Sequence, residues 1–156
     1  MKKPDQLDTV LEVAALRRDN ALQTLGAAQR ELQAAEQQMA QLQEYVKDSQ
    51  TRWTARASSE AISVTLLQHQ QQFLGRIDQA IDFQRGHLQR LETHVQYCQQ
   101  QLVQAERALA SLNKYTERRQ TEWQRQADRA EQKQTDEMAA NQHRQQAANH
   151  PWKPTP

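Results

Sequence analysis

Hydrophobic residues in the first third of the chain recur at alternating steps of three and four. Leu7 and Leu11 open a seam that continues through Ala14, Arg18, Ala21, Leu25, Ala28, Leu32, Ala35, Met39, Leu42 and Val46, with Arg18 its one charged member. A mean period of about 3.5 residues, held for about five heptads, predicts a helix that winds left-handedly around a partner. Ala alternating with Leu keeps the seam narrow and lets helices approach closely.

A second, longer seam follows. It runs Leu67, Gln70, Leu74, Ile77, Ile81, Gln84, Leu88, Leu91, Val95, Cys98, Leu102, Ala105, Leu109, Leu112, Thr116, Arg119, Trp123. It is most apolar from Leu88 to Leu112 and turns polar afterwards. Gln70 and Gln84 are polar interruptions of the kind that fix register at some cost in stability.

Between the seams, Arg56-Ala57-Ser58-Ser59-Glu60-Ala61-Ile62-Ser63 breaks the spacing. This segment predicts a turn, with Ser58 or Ser59 as the cap of the second helix, because a Ser hydroxyl accepts a free N–H at a helix start. The expected architecture is all-α: an antiparallel left-handed coiled-coil hairpin, with helices over about 5–56 and about 64–139 and a turn at about 57–63. At 1.5 Å per residue the helices would be about 78 Å and about 110 Å long. The segment holds no Gly or Pro, so a continuous helix or a parallel dimer remains an alternative. A fold near residue 60 sets residue i roughly opposite residue 120 minus i. The second helix then outlasts the first by about 25 residues. The tail 141–156, ending His150-Pro151-Trp152-Lys153-Pro154-Thr155-Pro156, is expected to be disordered.

Composition agrees with long helices rather than a globule. Hydrophobic residues make up 37% and aromatics 5%, too little to bury a compact core in 156 residues. Gln, Ala, Leu, Arg and Glu dominate, all good helix formers, and the Leu content argues against disorder. The net charge is +1 with interleaved signs, unlike the basic stripe that neutralises nucleic-acid phosphates. No run of about 20 apolar residues is present to span a bilayer, and the start is not of secretory type. A lone Cys98 excludes an internal disulfide and fits a reducing compartment, so the expected location is cytoplasmic.

Candidate chemistry is sparse. Catalysis needs groups converging in a cleft, which a two-helix hairpin does not offer, so no enzyme, cofactor or catalytic residue is expected. His94 and Cys98, at i and i+4, could place two metal ligands on one face. Cys98 lies on the seam, however, where it packs as a small apolar residue, and no metal is expected.

Off-seam aromatics carry more information. Leu66, Phe73, Ala80 and Phe83 form a second stripe on the second helix, beside Ile77 and Ile81, and Gln38, Leu42 and Tyr45 follow at steps of four and three on the first. The facing rule brings the two groups together as an apolar patch of the kind that binds a partner. The plainer reading is a locally widened core. Farther along, Lys114, Arg118, Arg119, Arg125 and Arg129 accompany Tyr115 and Trp123, interspersed with acids. A solvated face explains them, or Trp and Arg acting as interface anchors.

The layout resembles the flagellar FliJ family, soluble components of the flagellar type III export apparatus. The likeness rests on Leu7 to Ala21, on Gln38-Met39-Ala40-Gln41-Leu42-Gln43-Glu44-Tyr45, and on Gln70-Gln71-Gln72-Phe73-Leu74-Gly75-Arg76-Ile77-Asp78-Gln79-Ala80-Ile81. The Leu112 to Gln134 run adds to it, and the whole covers about residues 5–140. The resemblance implies a coiled-coil stalk that sits in the hexameric ring of the export ATPase and promotes its assembly and activity. It further implies contact with the cytoplasmic domain of the FlhA export gate and with export chaperones, peripherally at the inner membrane of the flagellar base. Carried over, the gate contact falls on Gln38, Leu42, Tyr45, Phe73, Ile77 and Ala80. Ser49 stands where the family favours an aromatic, and Gln84 where it often has His. Arg118, Arg119 and Trp123 are the expected ring contacts. The stalk of a virulence injectisome, a passive coiled-coil scaffold and a prefoldin-like holdase are the alternatives; the holdase fits less well because the apolar patch lies away from the free helix end.

Overall fold

The computed structural model describes residues 6–59 and 61–150. Two helices account for nearly all of them: α1, Gln6–Ser59, and α2, Val64–Ala148. They pack against each other as an all-α hairpin. Two expected boundaries move. α1 continues three residues past 56 to Ser59. α2 continues to Ala148, so residues 141–148, expected in a disordered tail, are helical. The rest of the expected tail, from residue 151, and Glu60 of the expected turn lie outside the described residues.

The helix start at Val64 has a local cause. The Ser63 hydroxyl accepts the Leu66 N–H at 3.2 Å, and the Ser63 carbonyl accepts the Leu67 N–H at 3.1 Å, opening the helical ladder. Ser58 and Ser59, expected as caps of α2, are instead in the last turn of α1. Their hydroxyls donate back to the Thr54 and Ala55 carbonyls at 2.8 and 3.1 Å. A hydroxyl bonded one turn back is compatible with helix, so this serine pair does not mark the turn.

The chain divides into two packed units. In the first, residues 15–107, α1 and α2 run antiparallel. Leu25 and Ala28 form a buried cluster with Val95 and Cys98, flanked by Leu32 and Leu102. Nearer the turn, Gln84 lies against Ala35, one position from the residue 85 that the facing rule sets opposite it. Ala28, Ala35 and Cys98 are at most 4% exposed, so the deepest positions carry the smallest side chains. Close helix approach follows from that choice of residues.

Buried and half-buried positions on α1 follow the expected seam from Leu7 to Val46, and extend it through Ser49 to Trp53. On α2 the expected seam also holds, with one correction. Leu66 rather than Leu67 is half-buried, and Leu67 is exposed. Phe73 and Leu74 are both half-buried, so the stripe widens there. A strict heptad places residue 67 on the seam, but the helix has only just begun at Val64 and its first turn presents the neighbouring residue.

The second unit joins the start of α1 to α2 from Ala108 onward. Leu7 and Leu11 are half-buried and Ala14 is buried, while Leu109, Leu112, Thr116, Arg119 and Trp123 are half-buried on α2. Thr116 satisfies its hydroxyl by donating to the Leu112 carbonyl at 2.8 Å. From Asp128 to Ala148 every residue is exposed. No helix among the described residues is long and apolar enough to cross a membrane.

Candidate interaction surface

Tyr45 on α1 is one position before the seam residue Val46, and Phe73 on α2 one before Leu74. In an antiparallel pair such flanking positions meet across the helices. Their rings do meet, edge to face, with centroids 6.1 Å apart and planes at 69°. That geometry sets the positive edge of one ring against the negative face of the other. Phe73 is thereby half-buried, whereas Tyr45 stays 52% exposed.

Beside this pair, Gln38, Gln41, Leu42, Tyr45 and Gln84 line an open groove of about 480 Å³. Gln84 is buried and its amide nitrogen is fully used. It donates to the Ala35 carbonyl at 3.0 Å and to the Gln38 side-chain oxygen at 3.4 Å. The longer bond holds the Gln38 amide through its oxygen, leaving the NH2 group to donate to a partner. A half-buried Leu42 and the Tyr45 ring supply the apolar part. Such a mixture of apolar wall and a few fixed amides suits a protein or peptide surface.

Of the six residues assigned to gate contact, the structure gathers Gln38, Leu42 and Tyr45 at this groove and sets Phe73 against Tyr45. Ile77 is 8% exposed, a member of the seam that shapes the surface from beneath. Ala80 is exposed. Phe83 is 71% exposed and adds to the apolar area of this face of α2. Gln41 and Gln84 complete the groove; Gln84 is legible from the heptad spacing as a seam residue, but its link to Gln38 depends on register across the helices.

The three candidate ring residues separate. Arg118 is exposed and lines a shallow recess of about 530 Å³ on α2 with Lys114, Glu117, Thr121, Glu122 and Arg125. Arg119 and Trp123 are half-buried on the seam. Arg119 donates to the Tyr115 hydroxyl at 3.3 Å, and its guanidinium carbon lies 5.8 Å from the centre of that ring. Tyr115 therefore holds Arg119 along the helix by a hydrogen bond and a cation–π contact.

Among the described residues no group of three or more His, Cys, Asp or Glu side chains is placed to hold a metal ion. Cys98 is a buried free thiol with its sulfur 3.7 Å from His94 Nε2.

The sequence matches no curated protein. It does match the family described as flagellar FliJ protein, over residues 1–148. That span takes in both helices, the groove and the Arg118–Trp123 segment. The chain belongs to the flagellar FliJ protein family, coiled-coil components of flagellar protein export.

Proposed function

We propose that this protein is the stalk of the export ATPase, linking the ATPase ring to the FlhA export gate and to export chaperones. Family membership supplies the process. The observation that carries the gate contact is the Tyr45–Phe73 pair beside the Gln38–Leu42–Tyr45 groove. A hairpin that needed only to be a spacer gains nothing from an exposed Tyr45 and Phe83 or from an amide fixed at the rim of an open groove. These features cost solubility and are retained where a partner covers them.

The ATPase-ring contact is assigned to the second unit, where Arg118 is exposed and Arg119 and Trp123 are half-buried. Arginine and tryptophan are the commonest anchors in protein interfaces. By this reading the protein works by binding alone, peripherally at the inner membrane of the flagellar base, and ATP hydrolysis belongs to the ring.

The test is ATP hydrolysis by the export ATPase of the same organism, with and without this protein. Stimulation that is lost in the Arg118→Ala/Arg119→Ala/Trp123→Ala variant, while Gln38→Ala/Leu42→Ala/Tyr45→Ala loses only gate binding, is the expected result. No stimulation and no co-migration with the ATPase would leave a passive scaffold.

A further inference from the structure

A row at steps of seven runs along α2 from His69 to Gln146. It holds Arg76, Arg90, Arg118 and Arg125 and no acid, although α2 carries ten acidic residues. Within the 15–107 unit its middle alternates charge and ring: Arg76, Phe83, Arg90, Tyr97. Each of these precedes a seam residue by one position, which sets it about 130° around the helix from the centre of the seam. All four are exposed, Phe83 at 71% and Tyr97 at 57%.

The acids of this stretch fall elsewhere on the helix. Asp78 and Glu92 follow Arg76 and Arg90 by two positions, about 160° away around the axis. Asp82 is engaged by Arg85 at 3.6 Å. The flanking positions, Gln79, Gly86 and Thr93 to one side and Ala80, His87 and His94 to the other, add no carboxylate. α1 packs against α2 at the seam, so its own carboxylates, Glu31 and Asp48 among them, stand behind the row rather than on it. No ion pair or hydrogen bond engages Arg76 or Arg90 among the described residues.

Shape and chemistry together decide the kind of occupant. Steps of seven match the period of the seam, so the row is straight, with about 10.5 Å between members and about 32 Å from Arg76 to Tyr97. It stands on the convex outer side of α2, where a flat surface touches all four side chains at once. A guanidinium fork fits a phosphate, and aromatic rings favour the boundary between headgroups and acyl chains. An acidic protein would need a trough with carboxylates and apolar side chains alternating at the same interval.

We propose that this row lies against an anionic phospholipid surface, with Arg76 and Arg90 on headgroup phosphates and Phe83 and Tyr97 at the edge of the acyl region. It rests on the peripheral membrane placement proposed above and gives that placement a contact in the chain itself. The net charge of the whole chain is only +1, so the attraction belongs to this face and not to the molecule at large.

The experiment is co-sedimentation of the full chain with phosphatidylcholine vesicles, with and without about 30% phosphatidylglycerol, at about 50 mM and about 300 mM salt. Binding is expected only with phosphatidylglycerol, and is expected to fall as salt rises. Arg76→Glu/Arg90→Glu is expected to lower the partition coefficient at least about tenfold. Arg30→Glu/Arg144→Glu, at exposed positions off the row, makes the same change in net charge and is expected to stay within about twofold. Phe83→Ala/Tyr97→Ala is expected to weaken binding at both salt concentrations, because ring burial is not screened. Circular dichroism checks that each variant remains helical. Equal weakening by the two charge-reversed variants would overturn the assignment to this row. So would no binding by the unaltered chain, or binding to polyglutamate in place of vesicles, which would give the row to an acidic protein. Stimulation of the ATPase and binding to the gate are measured without lipid, so they stand or fall separately.

Discussion

Gln84 is the residue at which stability and specificity part company. It occupies a seam position that a leucine would fill, and spends its amide on the Ala35 carbonyl and on Gln38. The Ala35 carbonyl already accepts a bond within α1, so removing Gln84 orphans nothing buried. Gln84→Leu is therefore expected to stabilise the hairpin by on the order of 1 kcal/mol, read as a higher midpoint in urea. The same change frees the Gln38 amide and loosens the register that brings the groove together, so gate binding is expected to weaken as stability rises. Ala35 makes the opposite point. It is 3% exposed, packed between the two helices where Gln84 bonds its carbonyl. Ala35→Leu forces them apart and is expected to cost about 1–3 kcal/mol in the same assay. Cys98, equally buried, is expected to react with a thiol reagent only as fast as the helices separate.

At the scale of the element, the ends and interior of α2 respond to separate forces. Ser63→Ala removes the cap and is expected to cost about 1 kcal/mol. Hydrogen exchange at the Leu66 and Leu67 amides locates the loss, while Ser58→Ala and Ser59→Ala leave those amides unchanged. Gly75 is exposed within the helix, and a Cβ there would meet nothing within 4 Å. Gly75→Ala is expected to stabilise by about 0.5–1 kcal/mol, through the entropy of the unfolded chain. The elements also show what the sequence could and could not reveal. Periodicity specified the seam from Leu7 to Val46 and nearly all of its counterpart because burial is its direct cause. It missed Ser63 because three serines compete for one cap, and their bonding depends on where α1 stops. It stopped α2 short because polar composition says nothing against helix. Of the groove, Tyr45 and Phe73 were legible as large rings off the seam.

At the scale of the whole chain, α2 is helical well past the last position at which burial can explain it. From Asp128 to Ala148 every side chain is exposed, and Met138 is the one large apolar residue among them. This segment needs no packing to form. It continues a helix already nucleated, so each added residue only propagates, and its Ala, Gln, Glu, Lys and Arg content favours that. Ending the chain after Ala127 removes no buried contact among the described residues, and is expected to move the thermal midpoint by less than about 2 °C. Ending it after Asn113 also removes Thr116, Arg119 and Trp123 from the seam, and is expected to lower the midpoint measurably. The pair of truncations divides the ATPase contact by position, with stability as an internal control. If the ring is held at Arg118–Trp123, the chain ending at Ala127 keeps co-sedimentation with the ATPase and the chain ending at Asn113 loses it. Loss in both moves the contact into the exposed helix, where composition offers scattered charge in place of aromatic anchors. Retention in both would mean that α2 beyond Asn113 plays no part in holding the ring, and the stalk reading would lose its footing in this unit.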